Sequence, residues 1–416
     1  MRKLKIGLLV MLCILTAFLC GIFAYGMTGH NIYRGFHGSY DHERNYVGMH
    51  LVLEKEVPLD GIDSISVSYN MNSNDIYLRE CEGNTLTIKE YNEAELGESE
   101  LSSVVVNGSR LEIEGKKRNY RSFSSGFLSF GYCGGYTEIL LPASYKGELS
   151  LKTASGDISS EMDLALERDL NAISTSGEIV MPDVTAENVS LGCTSGDIRI
   201  ENIDTGSNGD AGDINIATTS GDIMVNQLAG ETNIASSSGY VKAETITGDV
   251  QIATTSGDIT VQCIDGNATV GTTSGGVKIS KGSGERSISA SSGDIILDGA
   301  DRAWDIHTTS GEVWIKAQQG GGLIETTSGD INLELVELTG ALNIDSSSGS
   351  VRMKLSQDNA FGFNAETTSG DINTFFDDDL KFSKRGNSAQ GTYGQNPQEN
   401  SIRIGTTSGD IRVTEH

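Results

Sequence analysis

The chain has 416 residues, with 57 acidic and 30 basic side chains and a formal net charge of -27. That excess of carboxylate repels phosphate backbones and anionic headgroups, which excludes nucleic acid and adhesion to anionic lipid. The 51 glycines, 4 prolines and 6% aromatics describe many turns and few large core side chains. Length alone suggests two or three domains, but a repeat array makes one long body and overrides that estimate.

Arg2, Lys3 and Lys5 precede an apolar run that begins at Ile6 and ends at Tyr25. About twenty helical residues span roughly 30 Å, the thickness of a bilayer core. The run is longer than a cleaved signal requires, and the small-residue site around Ala24 is poor. Cys20 follows Phe18 and Leu19, a poor context for lipidation. The reading is an uncleaved signal anchor at residues 1–25, a single pass through the cell membrane. Its basic flank is cytoplasmic and the bulk of the chain extracytoplasmic. Residues 26–46 read as a juxtamembrane stalk. His30, His37 and His42 cluster there, with His50 just after. Their spacing fits no metal-ligand pattern, so they read as polar residues near the headgroups.

Residues 47–150 are strand-rich but irregular. The stretch "SISVSYNMNSNDIYL" (64–78) is a degenerate copy of a motif that recurs later, with Ser-Asn-Asp-Ile for Ser-Gly-Asp-Ile. This region reads as an N-terminal cap that covers the first open rung. Cys13 and Cys20 lie in the apolar run, and Cys81, Cys133, Cys193 and Cys263 show no metal spacing. A Cys81–Cys133 bridge is left open.

From about residue 151 one motif organises the chain. Ser-Gly recurs at Gly156, Gly177, Gly196, Gly221, Gly239, Gly257, Gly275, Gly293, Gly311, Gly329, Gly349, Gly370 and Gly409. From Gly221 to Gly329 the spacing is always 18 residues, the mark of a solenoid. Two residues past each Gly come Ile223, Val241, Ile259, Val277, Ile295, Val313 and Ile331; four past come Val225, Ala243, Val261, Ile279, Leu297, Ile315 and Leu333. Thirteen past come Ile234, Ile252, Val270, Ile288, Ile306 and Ile324; fifteen past come Ser236, Thr254, Thr272, Ala290, Thr308 and Thr326. Alternation at period two means a strand with one buried face, and β-branched residues suit it. Each coil therefore holds two short strands joined by two turns. One turn is the Ser-Gly-Asp corner; the other often carries Gly230, Gly248, Gly266 or Gly284. About twelve such coils would stack into a rod roughly 55–60 Å long.

Gly suits a corner that needs positive φ or a very close approach between coils. Ser can bond backbone groups there, and the Asp carboxylate can accept from nearby backbone N–H groups. Asp157, Asp197, Asp222, Asp258, Asp294, Asp330, Asp371 and Asp410 share one column, interrupted by Tyr240, Gly276, Glu312 and Ser350. A calcium ladder would want adjacent acids, so the column reads as structural. The insertion "DTGSNGDAGD" supplies weak calcium candidates in Asp204, Asn208, Asp210 and Asp213. It lacks the bidentate Glu of a calcium loop and reads as an ordinary turn. Gly370 to Gly409 is 39 residues, which predicts a projecting loop or hairpin before the last rung.

No catalytic set emerges. His307 is the only His between His50 and His416, in an outward column, and one His argues no triad. Acid pairs are inevitable on such a surface, so they do not mark a glycosidase. Trp314 and Tyr240 fall in outward columns that could suit stacking on sugars, and Trp304 falls inward. Thr255, Thr273, Thr309 and Thr327 form a single outward row, too narrow for an ice-binding face. The predicted fold is all-β, a two-sheet parallel β-solenoid of ~18-residue coils behind one N-terminal transmembrane helix. Its segments are the anchor (1–25), stalk (26–46), cap and irregular first coils (47–150), regular solenoid (151–375) and C-terminal hairpin with last coil (376–416).

The order of a membrane segment, "GIDSISVSYNMNSNDIYL", "NGSRLEIEG", "TEILLPASYKGELSLKTASGDI", many Ser-Gly-Asp-Ile rungs and "SIRIGTTSGDIRV" resembles the bacterial "putative adhesin" β-strand-repeat family, also grouped as the toastrack domain. The resemblance covers roughly residues 50–416. It implies an extracytoplasmic β-solenoid on a bacterial envelope, with no catalytic residues; members often accompany envelope-stress membrane proteins. The expected function is an adhesin-like surface binding protein without catalysis or cofactor. Its expected partners are the membrane and a cell-surface, glycan or envelope protein. The alternative is an envelope-stress component that contacts membrane regulators, and a polysaccharide-acting enzyme comes third.

Overall fold

Residues 48–70, 74–118, 135–206, 211–299, 302–395, 397 and 400–416 are described in the structure, a computed structural model. The anchor, the stalk with His30, His37 and His42, and Cys133, Asn208 and Asp210 lie outside the described residues. No helix among the described residues is long and apolar enough to cross a membrane. The chain divides into two compact units, residues 1–224 and 225–416. Both are all-β.

In the first unit one parallel ladder runs Arg110–Glu114, Ser64–Tyr69, Glu148–Thr153, Leu170–Ser174, Val189–Cys193, Asp213–Thr218. The other runs Gly135–Pro142, Asn74–Cys81, Ile158–Ser160, Ile179–Thr185, Ile198–Asp204. Alternate side chains are buried along each strand, as in the buried-and-half-exposed alternation of Ser64–Tyr69. Three antiparallel strands close the far end. Ser103–Asn107 covers Arg110–Glu114, Thr85–Asn92 covers Gly135–Pro142, and His50–Pro58 covers Thr85–Asn92.

At this end the rungs do not follow chain order. Residues 64–81 do not start the stack. They sit between the rung of Arg110–Glu114 with Gly135–Pro142 and the Gly156 rung. The chain builds an inner rung, crosses the cap, and lays a later rung outside it.

A polar network is buried under that cap. Arg118 pairs with Glu90 and donates to Asn74 Oδ1 at 2.8 Å. Asn74 Nδ2 donates to Glu90 Oε1 at 3.1 Å and to Thr137 Oγ1 at 3.2 Å. Thr137 and Ser102 donate to the Tyr69 hydroxyl at 2.8 and 3.3 Å. Burial pushes that hydroxyl well above its usual range, with the Glu90 charge adding to it, so Tyr69 stays protonated. Removing one member of a buried ion pair strands the other charge. Glu90→Ala is therefore expected to cost about 3–5 kcal/mol, read by urea denaturation. A loss below about 1 kcal/mol would mean water reaches Arg118.

In the second unit the first ladder runs Glu231–Ser236, Val250–Thr254, Ala268–Thr272, Arg286–Ala290 and Arg302–Thr308. The second runs Val241–Thr247, Ile259–Asp265, Val277–Ser283 and Ile295–Asp298. In both the pairing is in register at 18 residues, so like residues stack. Val241, Ile259, Val277, Ile295, Val313 and Ile331 form one column, each at most 1% exposed. Each such side chain contributes about 1.5–3 kcal/mol by leaving water.

The expectation of two separate sheets is corrected here. Val313–Thr326 and Ile331–Ser346 run through the second turn as single strands of 14 and 16 residues and pair along both ladders. Their second turn carries no break sharp enough to interrupt pairing; it is absorbed as a register shift between Gly320 and Gly322. The ladders thereby join into one continuous, mostly parallel sheet.

The last rung is also out of sequence order. Ser401–Ser408 pairs with residues 341–346 on one side and Phe361–Ser369 on the other. Ile411–Glu415 lies between Val351–Leu355 and Ile372–Thr374. The Gly409 rung thus slots between the Gly349 and Gly370 rungs. The hairpin Leu380–Phe382 with Ser388–Tyr393 accounts for this: it pairs antiparallel on the outer edge of Phe361–Ser369, so the returning chain takes the inner side. Phe361, Phe363 and Phe376, each at most 3% exposed, plug that end of the core with Tyr393 packed against them.

Two inward positions depart from the aliphatic rule. Arg286 is 1% exposed in the column of Val250, Ala268 and Trp304. Its guanidinium donates to the carbonyls of Gly266, Ile264, Ser283 and Glu285 at 2.7–3.2 Å. Gly282 sits in register with buried Ile264 and has no side chain, which leaves room there. Trp304 is buried too, and Gly320 and Gly322 admit it: a Cβ on Gly320 would lie 2.4 Å from its ring.

Candidate functional site: rung corners and outward faces

The repeated corner is built from three groups. The glycine is needed for contact between rungs. A Cβ on Gly177 would lie 1.9 Å from Gly156 O, and one on Gly257 1.8 Å from Gly239 O. The same holds from Gly156, whose Cβ would meet Asn74 O at 2.0 Å, to Gly409 against Gly349 O and Gly370 against Gly409 O, both at 2.2 Å. None of these corner glycines has positive φ. Positive φ belongs to the opposite turn, as at Gly248 (+114°).

The second group is a buried hydroxyl three residues before the glycine. Ser174 Oγ accepts from Gly177 N at 2.8 Å and donates to Gly156 O at 2.9 Å. Thr153 and Thr218 repeat the bridge. Cys193 substitutes a thiol, 3.3 Å from Gly177 O, and burial pushes that thiol well above its usual range. This corrects the role given to the Ser next to Gly. Ser195, Ser220 and Ser256 are exposed, and the hydroxyl that bonds the corner stands two residues earlier. Its signal was present in the inward Ser/Thr column fifteen residues past each Gly.

The aspartate is the third group. Asp157 Oδ1 accepts from Glu178 N at 3.0 Å, Asp197 from Asp222 N at 2.9 Å and Asp258 from Gly276 N at 2.8 Å. Asp294, Asp330 and Asp410 do the same for Glu312, Ser350 and Asp371. Asp75 of the degenerate rung accepts from Asp157 N at 2.9 Å. Each acid ties its rung to the next. Asp258→Asn keeps the accepting oxygen and should change stability by under about 1 kcal/mol, whereas Asp258→Ala should cost about 1 kcal/mol or more. Calcium titration followed by melting checks both: stabilisation of the parent chain by calcium that Asp258→Asn abolishes would make the column a metal site.

Asp204 caps its own turn, accepting from Gly206 N at 2.8 Å, and Asp213 N donates to Asn188 Oδ1 at 3.0 Å. Among the described residues no group of three or more His, Cys, Asp or Glu is placed to hold a metal. Cys81, Cys193 and Cys263 are free thiols.

His307 lies on an outward face with Ser289 and Glu325 in register on the neighbouring strands. That column has the composition of a hydrolase triad but not its bonding. Nε2 meets Asp305 Oδ1 at 2.7 Å and Nδ1 meets Glu325 Oε2 at 2.9 Å. Neither ring nitrogen faces Ser289 to take its proton. On the opposite ladder Ile296 (37% exposed) and Trp314 (49%) are register neighbours. Trp314 Nε1 donates to Glu312 Oε2 at 2.9 Å. Tyr240 is exposed as well, and so is the row of Thr255, Thr273, Thr309 and Thr327.

Ion pairs flank that face. Burial raises the Asp330 carboxyl, but hydrogen bonds from Arg352 and Ser350 N–H and the Arg352 charge outweigh it and hold the group below its usual range. The bond from Lys354 holds Glu334 low. A depressed carboxylate contributes stability above its unfolded pKa and loses it as pH falls through the folded value. Melting temperature should therefore fall on acidification below about pH 4, and Arg352→Leu should flatten part of that fall. An unchanged pH profile in Arg352→Leu would show that the pair contributes nothing.

The geometry defines a repeat-built all-β protein: a β-solenoid whose repeated motif is structural, with an outward face on each ladder. Toastrack DUF4097 matches residues 62–287 and 266–414, and the chain belongs to that family. Among solved structures it is similar to a "putative cell adhesion protein" from Clostridium sporogenes, 10% identical over 88% of this chain and 99% of that one, with a TM-score of 0.17. A "putative adhesin" from Parabacteroides distasonis is 17% identical over 73% and 92%, TM-score 0.20. A "Putative lipid binding protein" from the same organism is 18% identical over 74% and 97%, TM-score 0.23. No curated protein matches the chain.

Proposed function

We propose that this chain is a non-catalytic binding protein held outside the cytoplasm by a single membrane-spanning helix at residues 6–25. The observation that carries this reading is the use of the corner acids. They are the most repeated charged groups of the motif, and Asp157, Asp197, Asp258, Asp294, Asp330 and Asp410 are each spent on a backbone N–H of a neighbouring rung. The repeat therefore builds a surface rather than a reaction centre, and His307 is held between two carboxylates. The apolar run after Arg2, Lys3 and Lys5 supports the anchor and its orientation.

A Thr327→Cys variant tests placement, because Thr327 is exposed. In intact cells a membrane-impermeant maleimide should label it beyond the parent chain, whose own free Cys81 and Cys263 are only partly exposed, and the protein should leave the membrane fraction when residues 1–25 are removed. Labelling only after lysis would overturn the extracytoplasmic reading. In-cell crosslinking that recovers a membrane regulatory protein, and fails without residues 1–46, would replace the surface-binding role with the envelope-stress one.

A further inference from the structure

The outward column three residues past the corner glycines runs Lys278, Ile296, Trp314, Asn332, Arg352 and Arg412, in register across six rungs. It contains no carboxylate, which is unusual in a chain of net charge -27. At its centre are two exposed apolar side chains, Ile296 and Trp314. The indole N–H donates to Glu312 Oε2, and the side chain is 49% exposed.

The acids next to Trp314 and Asn332 are already occupied. Asp294 accepts from Glu312 N, Glu312 from Trp314, and Asp330 from Ser350 N and Arg352. Glu334 is paired with Lys354. A cationic ligand would have to displace these partners, and a polyanion would meet the chain's net negative field.

Size narrows the occupant further. Rungs stand about 4.8 Å apart, so the apolar strip extends only about 10 Å before Lys278 on one side and Asn332 on the other. A stable protein interface buries about 800 Å² on each partner. Two side chains do not supply that, but they match one or two sugar rings. The flat C–H face of a pyranose stacks on an indole, and its hydroxyls find donors and acceptors in Lys278 and Asn332.

We propose that Trp314 and Ile296 form a binding platform for an uncharged polysaccharide chain, with Lys278 and Asn332 as its hydrogen-bonding flanks. The proposal deepens the surface-binding reading and depends on it only for access to the ligand.

The test is a pull-down of the full chain, solubilised in detergent, on cellulose, chitin, starch and mannan, with alginate as the anionic comparator. Retention on at least one neutral polymer is expected. Trp314→Ala should weaken it roughly tenfold or more and Trp314→Phe much less, at unchanged melting temperature. Soluble fragments of the retained polymer should perturb tryptophan fluorescence. The chain has 2 tryptophans, and Trp304 is buried, so the response should vanish in Trp314→Ala. Retention on none of the neutral polymers, on alginate alone, or equally by Trp314→Ala would overturn the platform. So would self-association that Trp314→Ala abolishes, which would assign the strip to a second copy of the chain. None of these results bears on the maleimide labelling, so the two readings fail separately.

Discussion

Removing residues 401–416 is expected to unfold much of the unit formed by residues 225–416, far beyond the loss of sixteen terminal residues. In a stack built in sequence order the last rung has one neighbour, and its removal exposes one fresh edge. Here that rung has two. Ile402 and Ile404 are buried between Leu342 and Ile344 on one side and Phe363 and Ala365 on the other. Ile411 and Val413 are likewise enclosed on both sides, by Val351 and Met353 and by Ile372 and Thr374. Four buried aliphatic side chains at about 1.5–3 kcal/mol each match the whole stability of an ordinary domain. The truncated chain should lose the cooperative melt of this unit and become protease-sensitive between residues 340 and 393. A short bis-maleimide should also join Lys354→Cys to Thr414→Cys, which are register neighbours. Crosslinking of Lys354→Cys to Phe375→Cys instead, with an unchanged melt after truncation, would return the stack to sequence order.

Gly257→Val should be nearly as damaging, by more than about 4 kcal/mol. The new Cβ would be placed 1.8 Å from Gly239 O and 2.7 Å from Gly239 C. The obstacle is backbone, with no flexible side chain to turn aside. Relief requires the two rungs to part, which breaks pairing in both ladders at once. Gly362→Ala is the control, since nothing stands within 4 Å of its Cβ. It should shift stability by under about 1 kcal/mol. Equal melting of the two variants would remove the close-contact account of the corner.

Much of this architecture was legible because a solenoid writes its structure at a fixed period. Alternation around Gly221 to Gly329 marks strands, inward columns and corners, and it puts Trp304 and Trp314 on the inward and outward sides where the structure has them. The corner was legible in composition but not in mechanism. Glycine's two uses, positive φ and close contact, look alike in sequence, and only the backbone separates them: the corner glycines have the close contact without positive φ, whereas Gly266 and Gly284 have both. The bonding hydroxyl was credited to the wrong residue because Ser next to Gly is the more conspicuous of the two.

By itself the sequence determined the all-β class, the coil length and which residues face inward, since these follow from local period and side-chain chemistry. Tertiary structure alone decided the order of rungs at both ends. Every rung presents the same edge, so nothing local tells Ile402 whether its neighbour is Leu342, Phe363 or both. That choice belongs to the antiparallel caps, Thr85–Asn92 at one end and Ser388–Tyr393 at the other, which occupy the outer edges first. Arg286 shows the same limit within one coil: its burial depends on Gly282 and on carbonyls from the neighbouring rung, a long-range coincidence that no window of sequence contains.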